Sequence, residues 1–411
     1  MLHNAQELDH TIARLTQDPY RDLPRLVVMA ATSNEPLIYA GRGGYDQLPS
    51  KPVDRSELER AGQPVTEDSI FELYSCTKLP AVIAGLQLLE QGKIALDDDA
   101  SRYVPELKNV KVFRGFDDKE EPILEPLSRP VTIHMLLTHT SGSLYTLWDP
   151  NLNRVASKLA GQGNVYGRGN RRASLTISAS RPAQPGEKFC YGYSLDYLTL
   201  IVEKVSGLTL EEYFKQNIFA PLGIEDMSFL EKGKQMPMAF ETPSTPDAPY
   251  EIRPNDPMSE TQHFGGAGLS GSPRSYLKLI RTLLKGGELD GARILRKETV
   301  DLMFKEQFTT DEQRQAFHQM AQLNFDPAIR KSGKVDPATT HGYGGGLHAQ
   351  SETGKSAGTL SWSGMANTYW WVDRDNDVAA VVFTNVLPVG TRRVMEAWYE
   401  VEKRLYDGIK K

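Results

Sequence analysis

Tyr74-Ser75-Cys76-Thr77-Lys78, running into the apolar stretch Leu79 to Leu89, is the segment from which the rest of the chain is read. A serine three residues before a lysine, at the mouth of a buried helix, puts both side chains on one helix face. Serine is a weak nucleophile at neutral pH and needs a neighbour that takes or polarises its proton. The preceding run, Ser69-Ile-Phe-Glu-Leu-Tyr74, is strand-like. Ser75 therefore falls at a strand-to-helix junction, where a backbone N–H can also stabilise an oxyanion. Acyl transfer is the chemistry these features point to.

Ser-x-x-Lys is a loose pattern, and it recurs at Ser275-Tyr-Leu-Lys278. There Ser272-Pro273 reads as a cap followed by a helix-opening proline, Ser275 as an early-turn polar residue and Lys278 as a solvated one. Other serine-hydrolase signatures fail. Gly-x-Ser-x-Gly is missed by one residue at Gly268-Leu-Ser270-Gly-Ser272, and a triad is defined in space, not by spacing. His139, in Leu136-Leu-Thr-His-Thr-Ser-Gly142, reads as a structural histidine pinning the turn at Gly142. Gly266-Ala-Gly268-Leu-Ser-Gly271 matches a dinucleotide fingerprint but follows the polar Ser259-Glu-Thr-Gln-His instead of an apolar strand, so it reads as a chance match. Gly354-Lys355-Ser356 resembles the end of a P-loop with Ala349 at the required first glycine, and reads as a loop. His-Glu-x-x-His is absent, and His341 and His348 sit in a strand-like, Gly-rich stretch, so neither a metal nor another cofactor is expected.

At 411 residues the chain is long for a single core, which predicts one large or two intimately built domains. Apolar content of 39% and charged content of 24% suit a globular protein. A net charge of −6 gives no electrostatic reason for a nucleic acid or an anionic membrane as partner. Arg168-Gly-Asn-Arg171-Arg172, the nearest thing to a basic patch, reads equally as a solvated loop. No apolar run approaches the length of a membrane span. The first residues lack a secretory pattern, only Cys76 and Cys190 occur, and Asn-x-Ser/Thr is absent, so a cytoplasmic location is expected.

Helical spacing covers residues 4–17, with Leu8, Ile12 and Leu15 on one side. Leu26 to Ala31 and Pro36 to Ala40 read as a hairpin, and the Ser75 helix should end near Gly92. Residues 130–260 read as helices (Val131 to Leu137, Ser194 to Val205, Thr209 to Phe219) joined by long loops at 143–180 and 230–262. A helix from Ser272-Pro273 to about Leu284 comes next, then strands Gly342 to Ala349, Gly358 to Ser363, Thr368 to Val372 and Val378 to Phe383, and a helix over Arg392 to Tyr406. Strands at both ends with helices between predict one α/β (α+β) sheet built from both termini. The predicted division is a sheet domain, 1–95 with 265–411, and a mainly helical domain, 96–264, with the site between them.

Two further stretches bear on chemistry. Pro185-Gly-Glu-Lys-Phe-Cys-Tyr191-Gly-Tyr193 delivers an aromatic pair to the start of a helix. A tyrosine there either relays protons beside a lysine or simply packs. Thr359-Leu-Ser-Trp362-Ser-Gly364-Met365 is a strand with a glycine at its centre, which is either a bulge or a place where a ligand or backbone comes close.

Taken in order, Ser75-Cys-Thr-Lys78, Leu88 to Asp98, Leu136 to Gly142, Pro185-Gly186 with Tyr191, and Trp362-Ser-Gly364 resemble the serine β-lactamase/penicillin-binding-protein superfamily on its class C and family VIII carboxylesterase side. Gly115-Phe-Asp-Asp118, Tyr191-Gly192, Leu195-Asp196, Ala220 to Ile224 with Asp226-Met227, and Phe264-Gly-Gly266 are similar to fungal lovastatin-type acyltransferases. The resemblance implies an antiparallel sheet flanked by helices, with a helical domain above it. It implies Ser75 as nucleophile, Lys78 as the group that lowers its proton affinity, Tyr191 as proton shuttle, and the N–H groups of Ser75 and Met365 as oxyanion hole. Tyr74, Tyr145, Tyr193, Trp362 and Gly364 are the expected substrate-binding residues. Three departures stand out: Tyr193 replaces the Asn of Tyr-x-Asn, Trp362 replaces the lysine of Lys-Thr-Gly, and Cys76 and Cys190 each adjoin an expected catalytic residue, as free thiols packed beneath the site. The expected partners are a small ester or thioester acyl donor, either free or on an acyl carrier protein, and an alcohol acceptor. Two alternatives are a β-lactamase or D-amino peptidase and a non-catalytic binding protein of this fold.

Overall fold

Leu26 to Ala31 alternate between two cores, Val27, Met29 and Ala31 packing into one and Leu26, Val28 and Ala30 into the other, because successive strand residues face opposite sides. A strand buried on both faces must lie inside a sheet. The computed structural model describes residues 2–145, 149–160, 180–230, 236–254 except 243 and 246, 263–323 and 335–409. In it β1 (Arg25–Ala31) pairs with β2 (Tyr39–Gln47), and β2 with β3 (Gln63–Pro64). The C-terminal strands are β4 (Thr340–His341), β5 (Gly346–Leu347), β6 (Leu360–Gly364), β7 (Thr368–Asp373) and β8 (Val378–Phe383). They complete an antiparallel sheet of order β4-β5-β6-β7-β8-β1-β2-β3, closed between the two termini where Val27 faces Phe383 and Ala31 faces Ala379.

Helices α1 (Ala5–Leu15) and α5 (Arg392–Ile409) cover one face through Leu8, Ile12, Trp398, Val401 and Leu405. The opposite face carries α2 (Lys78–Glu90), α3 (Ser194–Ser206) and α4 (Pro273–Leu284). Every residue of α2 from Lys78 to Leu88 is buried, as expected of a helix that is apolar all round. The cross-over with α3 falls at Gly85, where a Cβ would press into Leu198.

Several boundaries differ from the sequence reading. The second hairpin strand is Tyr39–Gln47, not Pro36 to Ala40. A Cβ at Gly41 or Gly43 would collide with Ile12 or Thr16, so the glycines let α1 lie close on the strand. The predicted strand Gly342 to Ala349 is instead a tight hairpin, Thr340–His341 against Gly346–Leu347, turned at Gly344 in the left-handed region. The span 96–264 also holds a hairpin, Lys111–Phe116 with Pro122–Pro126, and strands Met238–Phe240 and Glu251–Arg253. Helix Pro150–Ala160 falls within the predicted loop 143–180. The Arg168 to Arg172 cluster lies outside the described residues. No helix of the described residues is long and apolar enough to cross a membrane.

Candidate active site

Phe71–Glu72 pairs with Ser270–Gly271, and the chain then turns through Tyr74 at φ 43° into a 3-10 turn, Tyr74–Thr77, that feeds α2. That left-handed residue throws Ser75 to the head of the buried helix. One turn on, Lys78 is 2% exposed, and its Nζ donates to Ser75 Oγ at 3.0 Å, Tyr145 OH at 3.1 Å and the Gly266 carbonyl at 2.7 Å. Three donors meet three acceptors, so the ammonium is fully satisfied.

On the other side of Ser75, Tyr191 donates its hydroxyl to Oγ at 2.7 Å. The loop that carries Tyr191 is fastened to the 139–145 segment by backbone bonds: Gly186 N–H to Thr140 at 2.7 Å, Cys190 N–H to His139 at 2.7 Å, and Tyr145 N–H to Tyr191 at 3.3 Å. His139 holds a left-handed conformation, φ 55°, just before the turn at Gly142. Burial, with smaller contributions from Lys78 and His341, keeps the His139 imidazole neutral, well below its ordinary pKa. Its ring packs 5.2 Å from that of Tyr191.

The strand edge arrives from β6. A Cβ at Gly364 would collide with the Leu73 carbonyl and Thr368 Oγ1, so only glycine lets this edge lie against the backbone leading into Ser75. Met365, next along, is 37% exposed. Trp362 pairs across the ladder with Trp370; it is buried and donates its indole N–H to Tyr191 OH at 3.3 Å.

Ser75, Lys78, Tyr145, Tyr191 and Trp362 thus form one connected hydrogen-bonded set. Tyr193 is buried and packs edge-on against Tyr145 at 4.7 Å. Tyr74 is half-buried, and burial, then Glu72, pushes its hydroxyl up to about 12. Cys76 and Cys190 are buried free thiols, each pushed up to about 12 by burial, which leaves little thiolate to react. The second Ser-x-x-Lys stands apart: the Ser275 N–H bonds the Ser272 cap, and Lys278 Nζ reaches the Gly223 carbonyl at the surface.

The reading of the residues missed two participants. Gly266 belongs to the glycine pattern set aside as chance, yet its carbonyl anchors Lys78 from 188 positions away. Asp196 is buried, and its Oδ1 accepts the Gly266 N–H at 3.0 Å, placing a carboxylate beside the lysine anchor. A Cβ at Gly266 would strike Tyr145 OH and Asp196. The signals were the glycine pair, which marks a close backbone approach without saying to what, and the place of Leu195-Asp196 and Phe264-Gly-Gly266 among the runs that carry the resemblance, which gave neither residue a role.

A family model described as Beta-lactamase matches residues 16–404. Among curated proteins, the lovastatin esterase of Penicillium rubens is 34% identical over 356 residues, covering 82% of this chain and 84% of its own. Monacolin J acid methylbutanoyltransferase of Aspergillus terreus is 30% identical over 379 residues, covering 90% and 88%. Among solved structures, a mutant of simvastatin synthase from Aspergillus terreus superposes with a TM-score of 0.83 at 27% identity, over 98% of this chain and 95% of that one.

Proposed function

The chain belongs to the β-lactamase family, and from that premise we propose that it is a serine acyltransferase or esterase working through an acyl-Ser75 intermediate. The observation that carries the reading is Ser75 Oγ held between Lys78 Nζ at 3.0 Å and Tyr191 OH at 2.7 Å. Both neighbours lie within the reach that proton transfer requires. The relatives named as acyltransferases and esterases of fungal metabolites support the substrate class: an ester or thioester of secondary-metabolite type.

In this reading Ser75 Oγ bonds to the acyl carbonyl carbon while Tyr191 relays protons: its own hydroxyl proton moves toward the leaving oxygen or sulfur, and the Ser75 proton takes its place on the phenol oxygen. Lys78 holds Oγ in place and offsets the negative charge that develops. The carbonyl oxygen, now anionic, takes the N–H groups of Ser75 and Met365. The bond to the leaving alkoxide or thiolate then breaks, and that group collects the proton from Tyr191. An alcohol or water repeats the sequence in reverse and releases the acyl group. The site lies between the sheet unit, 1–95 with 265–411, and the mainly helical unit, 96–264. Tyr74, Tyr145, Tyr193, Trp362 and Gly364 border it. The donor is free or presented by an acyl carrier protein, and competition between the two forms decides which.

The test is intact-mass spectrometry after incubation with p-nitrophenyl esters of several acyl lengths, with and without an alcohol acceptor. An adduct mapped to Ser75, and absent in Ser75→Ala, is the expected result. No adduct and no turnover at any acyl length would sink the proposal.

A further inference from the structure

Trp362 is 6% exposed, yet its one polar atom faces the site. An indole N–H only donates, so at 3.3 Å from Tyr191 OH it obliges the tyrosine oxygen to accept. Tyr191 in turn spends its own proton on Ser75 Oγ. The indole is fixed from both sides: strand pairing sets its backbone opposite Trp370, and its ring lies 5.3 Å from Tyr191 and edge-on to His341 at 5.8 Å. Burial holds His341 down to about 3, and His139 behind Tyr191 is likewise neutral. The layer of rings packed behind the tyrosine therefore brings no charge of its own.

We infer that Trp362 is a positioning residue for the acyl transfer: its N–H orients the Tyr191 oxygen toward Ser75 and carries part of the negative charge that this oxygen develops as protons move. The inference rests on the proposed function above. Hydrogen bonds to an oxygen are stronger when it is charged, so this one contributes more in the transition state than at rest. At 3.3 Å it is at the long end for N–H···O, as resting catalytic contacts often are. The alternative is that the indole N–H merely satisfies a buried donor, as buried tryptophans commonly do.

Two variants separate these roles. Trp362→Phe keeps an aromatic ring and removes the donor; a 3-benzothienylalanine at the same position keeps the full bicyclic shape and replaces N–H by sulfur. Single-turnover acylation by a p-nitrophenyl ester should slow about tenfold in both, with KM within about twofold of the parent, because the lost contact acts mainly in the transition state. In a Tyr191→Phe background, Trp362→Phe should cost nothing further, since the oxygen it serves is gone. A sulfur analogue that acylates at the parental rate, or an additive loss in the Tyr191→Phe background, would overturn the inference while leaving the proposed function standing. A Tyr191→Phe enzyme of full activity would instead remove the proposed function itself, and this role with it.

Discussion

Tyr191 and Tyr193 stand two positions apart in one loop, and nothing in their local sequence separates a proton relay from a packing ring. In the structure Tyr191 reaches Ser75 Oγ, whereas Tyr193 is buried against Tyr145. Tyr191→Phe should therefore lower acyl transfer by about 10²-fold or more, in keeping with general acid–base contributions, and Tyr193→Phe by far less. Steady-state rates with the same ester decide it, and the reverse order would refute the assigned role. Ser75 and Lys78 were legible because a helix fixes the relation of residues three apart. Asp196 and Gly266 were not, because their closeness to Lys78 follows from how distant segments pack.

At the scale of elements, the junction between the Ser75 turn and the edge of β6 depends on a missing side chain. Gly364→Ala would push a methyl into the Leu73 carbonyl and Thr368. Overpacking of this kind costs about 1–3 kcal/mol, and here the displaced edge is the one that carries Met365. Activity should fall about tenfold or more as the expected oxyanion donor shifts, in line with losses seen when such a donor is removed. Gly92→Ala is the control: Gly92 has a φ of 66° with nothing within 4 Å of the added carbon. That change should cost only the left-handed backbone strain of about 1 kcal/mol, read as a small drop in Tm with turnover intact. Helices were the most legible elements, since caps and apolar spacing are local. The Gly41 to Gly44 part of β2 lies outside the predicted strand, and the Thr340–Leu347 hairpin reads as one strand, because glycine marks both turns and close approaches and only the neighbouring element tells them apart.

For the whole molecule, α5 is bound to the loop between β5 and β6 by a charged pair with no exposure: Lys355 Nζ lies 2.8 Å from Glu402 Oε2, both side chains at 0%. Burial raises the Glu402 carboxyl, with Lys355 pulling against it. The lysine also lies over the Trp371 and Trp398 rings. Lys355→Met should destabilise the fold by about 3–5 kcal/mol because it strands a buried carboxylate, and Lys355→Met with Glu402→Leu should recover most of the loss. Denaturant melts check both; a single variant as stable as the parent would show that the pair is dispensable. Gly354-Lys355-Ser356 reads from sequence as a loop and is one, but its place as an ion-paired anchor depended on a helix some fifty residues on. By itself the sequence determined the place of the expected nucleophile before a buried helix, the main helices and terminal strands, and the family, because each is written in local spacing and in motifs arriving in order. The resemblance pointed to Tyr191, and only the tertiary structure decided that its hydroxyl meets Ser75 Oγ, what anchors Lys78, and that Trp362 turns its N–H toward Tyr191. Those contacts join segments tens to hundreds of residues apart, and hydrogen bonds form between groups that packing brings within about 3 Å, whatever their separation along the chain.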